Sequence, residues 1–138
     1  MFDGTVQVGR KGLLLRAIAT VDIACWDAVA TAAGQPLHRY LGANADSVPA
    51  YASGGYYREG KGLEELRAEM RSYVDRGHDT VKLKIGGREP GVEVERVRTV
   101  REAIGDERRL LLDANGAWDD SPTALAACRR YGEYDPYF

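Results

Sequence analysis

From residue 47 onward the chain switches back and forth between two apolar periods, and the pattern recurs about every 30 residues, the length of a βαβ unit. VPAYASGG reads as a strand with a glycine-rich end. LEELRAEMRSYVDRG reads as a helix, with Leu63, Leu66, Met70 and Val74 on one face and Gly77 as its stop. TVKLKIGG is the next strand. VEVERVRTVREAIG is the next helix, its face drawn by Val94, Val97, Val100 or Arg101, and Ile104, with Gly105 ending it. RLLLDANG is a third strand. Ser121 and Pro122 fit an N-cap followed by proline at the first helical position, and TALAACRRYG continues that helix to Gly132. The last residues, DPYF, read as a fourth strand beginning. Ahead of the repeat, a helix from Leu13 to Ala33 carries Ile18, Val21, Cys25, Ala28, Val29 and Ala32 at three-and-four spacing. Gly34 and Pro36 end it, and PLHRYLG is a short helical turn closed by Gly42.

Strands that alternate with helices predict an α/β fold with a parallel sheet. A doubly wound sheet and a (β/α)8 barrel both satisfy that pattern. The change of pattern divides the chain into a helical region, 1–46, and the repeating region, 47–138.

The chemistry concentrates at strand ends. Side chains alternate along a strand, so Lys82 and Lys84 share one face while Val81, Leu83 and Ile85 share the other. The apolar face meets the helices, which turns both lysines the opposite way. Gly86 and Gly87 mark the strand's C-terminal end, where a barrel has its active-site bowl. On the third strand Asp113 and Asn115 share a face with Leu111, while Leu110 and Leu112 face the helices. Two neighbouring strands therefore offer two cations, a carboxylate and an amide to one bowl. A carboxylate there suits a hard, oxygen-seeking cation. A lysine crowded by a second ammonium loses its proton more easily and serves as a base. A simple salt bridge from Lys82 or Lys84 to Asp113 satisfies the same spacing.

Composition narrows the picture. The 138 residues suffice for one ordinary domain, and 44% apolar with 29% charged is a soluble globular balance. A net charge of −2 gives no basic excess for nucleic acid or an anionic membrane. The start, MFDGTVQVGRKGLLLR, lacks the layout of a secretory leader. Cys25 and Cys128 fall on apolar helix faces and are expected to be buried free thiols of a reducing, cytoplasmic setting. His38, on a short surface turn, and His78, before a strand, are not expected to act. Tyr56, Tyr57 and Arg58, in SGGYYREGKG after the first strand, are candidates for a substrate-covering loop. Neither G-x-G-x-x-G between strand and helix nor G-x-x-x-x-G-K-[ST] occurs, which weakens a nucleotide-binding reading.

Four stretches together resemble the enolase superfamily, in its mandelate racemase and muconate-lactonizing branch. RAIATVDIACWDAVATAAGQPLHRYLGA resembles that family's helix before the barrel. VPAYASGG, VKLKIG and LLLDANGAW resemble its first three barrel strands. The resemblance implies a partial (β/α)8 barrel preceded by a helix linking to a capping domain. It implies Lys84 as the base that removes a proton next to a substrate carboxylate, Lys82 as the group that holds that carboxylate and lowers the pKa of Lys84, and Asp113 as the first of three carboxylate ligands to Mg²⁺. Asn115 and Tyr56 are the implied substrate contacts. The implied substrate is a small carboxylate such as a sugar acid, and the implied reactions are racemisation or epimerisation, acid-sugar dehydration and cycloisomerisation. The full-length form is expected to be a homo-oligomer, with no nucleic-acid or membrane partner.

The capping strands, two further Mg²⁺ ligands on the fourth and fifth strands, and a second acid/base on a later strand have no counterpart here. The chain alone is therefore expected to be poorly stable and inactive. The alternative is a non-catalytic remnant, or a half-barrel that works with a partner chain.

Overall fold

A computed structural model describes residues 3–8 and 11–138; residues 1, 2, 9 and 10, part of the stretch read for a leader layout, lie outside the described residues. Two compact units emerge, Met1–Val48 and Pro49–Phe138. Among the described residues no helix is long and apolar enough to cross a membrane.

The first unit holds a 3-10 helix, Asp3–Val8, then α1, Gly12–Ala32, and a single-turn α2, Leu37–Tyr40. Gly34 takes the left-handed conformation (φ 67°) that ends α1, where a side chain would be strained. The rings of Trp26 and Tyr40 meet at a tilt, with centroids 6.3 Å apart. The apolar stripe of α1 does not become a core. Val21, Ile23, Trp26 and Val29 are all exposed, and Ala30 is its one buried residue. A face built to be covered needs an opposing layer, and within this unit only the four-residue α2 follows. Cys25 is exposed for the same reason, against expectation.

The second unit is a three-stranded parallel sheet in the order β1-β2-β3: Ala52–Gly54, Thr80–Lys84 and Arg109–Asp113. Helices α3 (Leu63–Asp75), α4 (Pro90–Ile104) and α5 (Ser121–Tyr131) connect and follow the strands. Leu66 and Met70 of α3, Val97, Val100 and Ile104 of α4, and Tyr131 of α5 form one core with Val81, Leu83, Ile85 and Leu110. Every helix thus packs on the same face of the sheet. A doubly wound fold puts helices on both faces, so the one-sided arrangement selects the barrel type of the two topologies that the sequence left open.

Four details depart from the sequence reading. The cap of α5 is Asp120, whose side chain accepts from the Thr123 amide at 2.7 Å, one residue before the expected Ser121. Gly132 does not stop the chain in a left-handed turn; it continues helically into a 3-10 turn, and Asp135 (φ 46°) makes the reversal. Residues 136–138 form no strand, yet they lie along β3. The Tyr137 amide donates to the Leu110 carbonyl at 2.8 Å, and the Leu112 amide donates to the Phe138 carbonyl at 2.7 Å. Cys128, predicted buried, is exposed on α5, beside a groove lined by Ile85, Leu112 and Trp118.

Leu83 is fully buried between both flanking strands and the helices. Leu83→Ala is expected to cost about 3 kcal/mol, in the range for buried leucine truncation, measured as a drop in urea midpoint at unchanged slope.

Candidate active site

The alternation of β2 works as the sequence predicts. Val81 and Leu83 are fully buried against the helices, and Lys82 and Lys84 project from the opposite face. The parallel register pairs Lys84 with Asp113 and Lys82 with Leu111, so the charged ends of two strands stand side by side.

Lys84 Nζ donates to Asp113 Oδ2 at 2.6 Å and to Asn115 Oδ1 at 2.8 Å. Lys82 Nζ lies 3.2 Å from the same Asp113 Oδ2. It also donates to the Tyr51 hydroxyl at 3.2 Å and sits over that ring, 4.8 Å from its centroid. Asp113 Oδ1 accepts the Asn115 amide at 2.9 Å, an Asx turn that Asn115 completes in the left-handed region (φ 50°). Lys84, Asn115 and Tyr56 line a cavity of about 390 Å³ at the strand ends, with Tyr56 exposed and its ring centroid 5.9 Å from Lys84 Nζ. On the lysine face of β1, Ser53 stands opposite Lys82, and its buried hydroxyl has no partner among the described residues.

The electrostatics follow from a carboxylate set between two ammoniums. The Lys84 ammonium, the Asn115 amide and Lys82 together hold the Asp113 carboxyl well below the usual carboxylate range. Hydrogen bonds to the Tyr51 hydroxyl and to the Asp113 carboxylate push Lys82 up.

Tyr57, read as a candidate for a substrate-covering loop, is joined to two residues of α4 that the sequence did not single out. Tyr57 donates to Glu93 Oε1 at 2.6 Å and accepts the Gly87 amide at 3.0 Å. Glu93 Oε2 takes Arg96 Nε at 3.3 Å, and one Arg96 guanidinium nitrogen donates to the carbonyls of Gly55 at 2.6 Å and Lys84 at 3.2 Å. Glu93 and Arg96 are both buried. Their only signal in the sequence is a Glu-x-x-Arg spacing on a helix, which reads as an exposed i,i+3 pair. Gly55 fits beneath them because it has no side chain: its φ is 69°, and a Cβ would run into Leu83. Neither histidine joins the site; His38 is exposed, and His78 stacks edge-on against Tyr73 before β2.

The same architecture appears in known proteins. Residues 65–138 match the model of the enolase C-terminal domain-like family. The chain belongs to that family, within the mandelate racemase and muconate-lactonizing enzymes of the enolase superfamily, and its sheet and helices are part of the family's barrel. Arabinonate dehydratase of Saccharolobus solfataricus is 37% identical over 118 residues, covering 86% of this chain and 32% of the relative. L-Talarate/galactarate dehydratase of Salmonella typhimurium is 38% identical over 130 residues, covering 94% of this chain and 32% of the relative. Among solved structures, L-talarate dehydratase from Polaromonas sp. JS666, complexed with Mg and L-glucarate, superposes with a TM-score of 0.80 at 34% identity, covering 98% of this chain and 37% of that one. The chain spans about a third of the length of the curated relatives it matches.

A magnesium ion takes about six oxygen ligands in octahedral array and is anchored by carboxylates. Among the described residues no group of three or more His, Cys, Asp or Glu side chains is placed to hold a metal. Asp113 is the one carboxylate in the bowl, and it already receives two ammoniums and an amide. The described residues do not by themselves fit a Mg²⁺ site.

Burial and the hydrogen bond to Glu93 push the Tyr57 phenol up to about 12. An acid whose folded pKa is raised contributes stability below its unfolded value, 10.0, and that contribution is lost as the pH climbs through about 12. Burial also raises Tyr73 and Tyr131; absorbance titration of the tyrosinates is expected to show late groups, and Tyr57→Phe to remove one of them. Asp113 has the opposite sign: its stabilisation is present above 3.8 and fades as the pH falls toward its depressed folded value. Asp113→Asn is expected to flatten the acid limb of a stability profile below about pH 4.

Proposed function

We propose that this chain supplies the base-bearing strands of a Mg²⁺-dependent enzyme that abstracts the proton α to the carboxylate of a sugar acid. The observation that carries the reading is the Lys84 ammonium held at 2.6 Å from Asp113 and 2.8 Å from Asn115 at the mouth of a barrel-type sheet. In this reading residues 47–138 are the first part of the barrel, and residues 1–46 link it to a capping domain.

In the proposed reaction the substrate's Cα–H bond breaks, the proton moves to neutral Lys84 Nζ, and the bonding electron pair passes into the carboxylate as an enediolate. The Lys82 ammonium lies on the same face and opposes the negative charge as it develops. Asn115 and Tyr56 border the cavity where the substrate's hydroxyls sit. Lys84 acts as a base only when its lone pair is free, so its bond to Asp113 has to open first. Because the donor set here is incomplete, the remaining metal-binding carboxylates belong to residues outside these 138, in the same polypeptide or another. The two curated relatives described above are both named dehydratases, which favours loss of water from the enediolate over reprotonation.

The test is a chimera in which residues 49–138 replace the matching segment of the L-talarate/galactarate dehydratase. Proton exchange at Cα of galactarate, talarate and arabinonate is followed by NMR in D₂O with Mg²⁺. Exchange is expected, and Lys84→Ala is expected to slow it about 10³-fold, the scale of a lost general base. A folded chimera that exchanges equally well without Lys84 sinks the assignment. A folded chimera with no exchange at all supports the non-catalytic alternative. Calorimetric titration of the 138-residue chain with Mg²⁺ is expected to show no saturable binding. Tight binding abolished by Asp113→Ala would instead show that the chain holds the metal unaided.

A further inference from the structure

We propose that Arg96 is the positioning residue for Lys84: its guanidinium ties the ends of β1 and β2 together and so fixes where the lysine leaves its strand. The catalytic meaning of this rests on the reading of Lys84 as the base.

Strand ends are where a barrel is least constrained, because the ladder stops and loops begin. β1 ends at Gly54 and β2 at Lys84, and the carbonyls of Gly55 and Lys84 both turn to a single Arg96 nitrogen. The guanidinium is planar and rigid, so two carbonyls that share it are fixed relative to each other, which a flexible ammonium does less well. Glu93 holds the same guanidinium from behind. Tyr57 closes the circuit: its ring lies against the guanidinium, 4.4 Å from ring centroid to Cζ, and its hydroxyl links Glu93 to the Gly87 amide three residues past Lys84. The residue immediately after Lys84, Ile85, donates its amide to the Asp113 carbonyl at 3.1 Å. The lysine's backbone is therefore clamped on one side by α4 and on the other by the strand that carries its carboxylate.

A buried ion pair contributes little net stability compared with apolar residues of the same volume, because both charges lose their hydration. Glu93 and Arg96 are nonetheless buried at this spot, Arg96 bonded to two backbone carbonyls and Glu93 to the Tyr57 hydroxyl as well as to each other. Their geometry is explained by placement of the two strand ends.

The experiment compares wild type, Arg96→Met, Arg96→Lys and Tyr57→Phe in the 138-residue chain by NMR at one fixed pH. Amide hydrogen exchange is read at Ile85 and Gly87, with Val81 and Leu83 as references within the same segment. The solvent-protected ammonium signal of Lys84 is read alongside. Arg96→Met is expected to speed exchange at Ile85 and Gly87 at least tenfold, leave Val81 and Leu83 unchanged, and erase the Lys84 signal. Arg96→Lys is expected to restore both in part, and Tyr57→Phe to loosen Gly87 most. Uniform acceleration along β2, or a Lys84 signal that survives in folded Arg96→Met, overturns the proposal. Should Arg96→Met fail to fold, Tyr57→Phe decides, since it removes one hydroxyl; unchanged exchange at Gly87 together with an intact Lys84 signal overturns it. In the barrel chimera, Arg96→Met is expected to lower kcat about 10²-fold with KM little changed, as a misplaced base does, and Arg96→Lys to recover part of it. A wild-type chimera without exchange would remove the catalytic assignment and leave the exchange and ammonium results standing on their own.

Discussion

The parallel register between β2 and β3 is the constraint on which both core and site depend. It pairs Val81 with Leu110 and Leu83 with Leu112 on the helix side, and Lys84 with Asp113 on the other. Side chains on a strand alternate strictly, so slipping β3 by one residue would turn Leu110 out of the core and move Asp113 away from Lys84. The cost of losing the apolar contacts therefore protects the charged ones. The site borrows its precision from a core that has no polar function.

The same unit shows how the charges are kept apart from the core. Lys84, at the C-terminal end of β2, reaches an open cavity and the Asp113 carboxylate. Lys82, at the middle of the strand, reaches the same carboxylate and the Tyr51 hydroxyl, and both side chains remain partly solvated. Level with Lys82 the same face turns apolar on β3, with Leu111 buried beside Tyr51, Tyr137 and Phe138. Polarity thus changes along one face of the sheet in the span of a few residues, and that gradient defines the bowl.

Much of this was legible from the residues. The period-two alternation in VKLKI gave the direction of both lysines, and glycines at 34, 77 and 105 marked helix ends, all with positive φ. What escaped the pattern was polar burial. Glu93 and Arg96 sit in VEVERVR among residues that a helical wheel assigns to solvent, and only the carbonyls of two distant strand ends explain why they turn inward. Cys25 and Cys128 failed in the other direction. An apolar stripe shows which face of a helix wants cover, but whether something covers it is a tertiary fact, and both thiols are exposed. The Asp120 cap was missed because Ser121-Pro122 satisfies the same signature one residue later, and only the Thr123 amide distinguishes them. The roles proposed for Lys82, Lys84, Asp113, Asn115 and Tyr56 rest on family resemblance joined to this geometry.

The ion-pair cluster also limits what the site can do in this form. One carboxylate cannot neutralise two ammoniums and anchor a divalent cation at full strength, because each interaction draws on the same few lone pairs. Asp113 is given over to Lys84 and Lys82, and Lys84 Nζ is bonded to both Asp113 and Asn115. In the proposed reading Lys84 needs a free lone pair, so whatever opens the site has to compete for Asp113. Drawing the carboxylate away leaves two cations facing each other without the anion between them, and that favours loss of a proton from one of them. A cation competes for Asp113 in this way, whereas a free carboxylate set beside the lysines replaces the shielding that was removed.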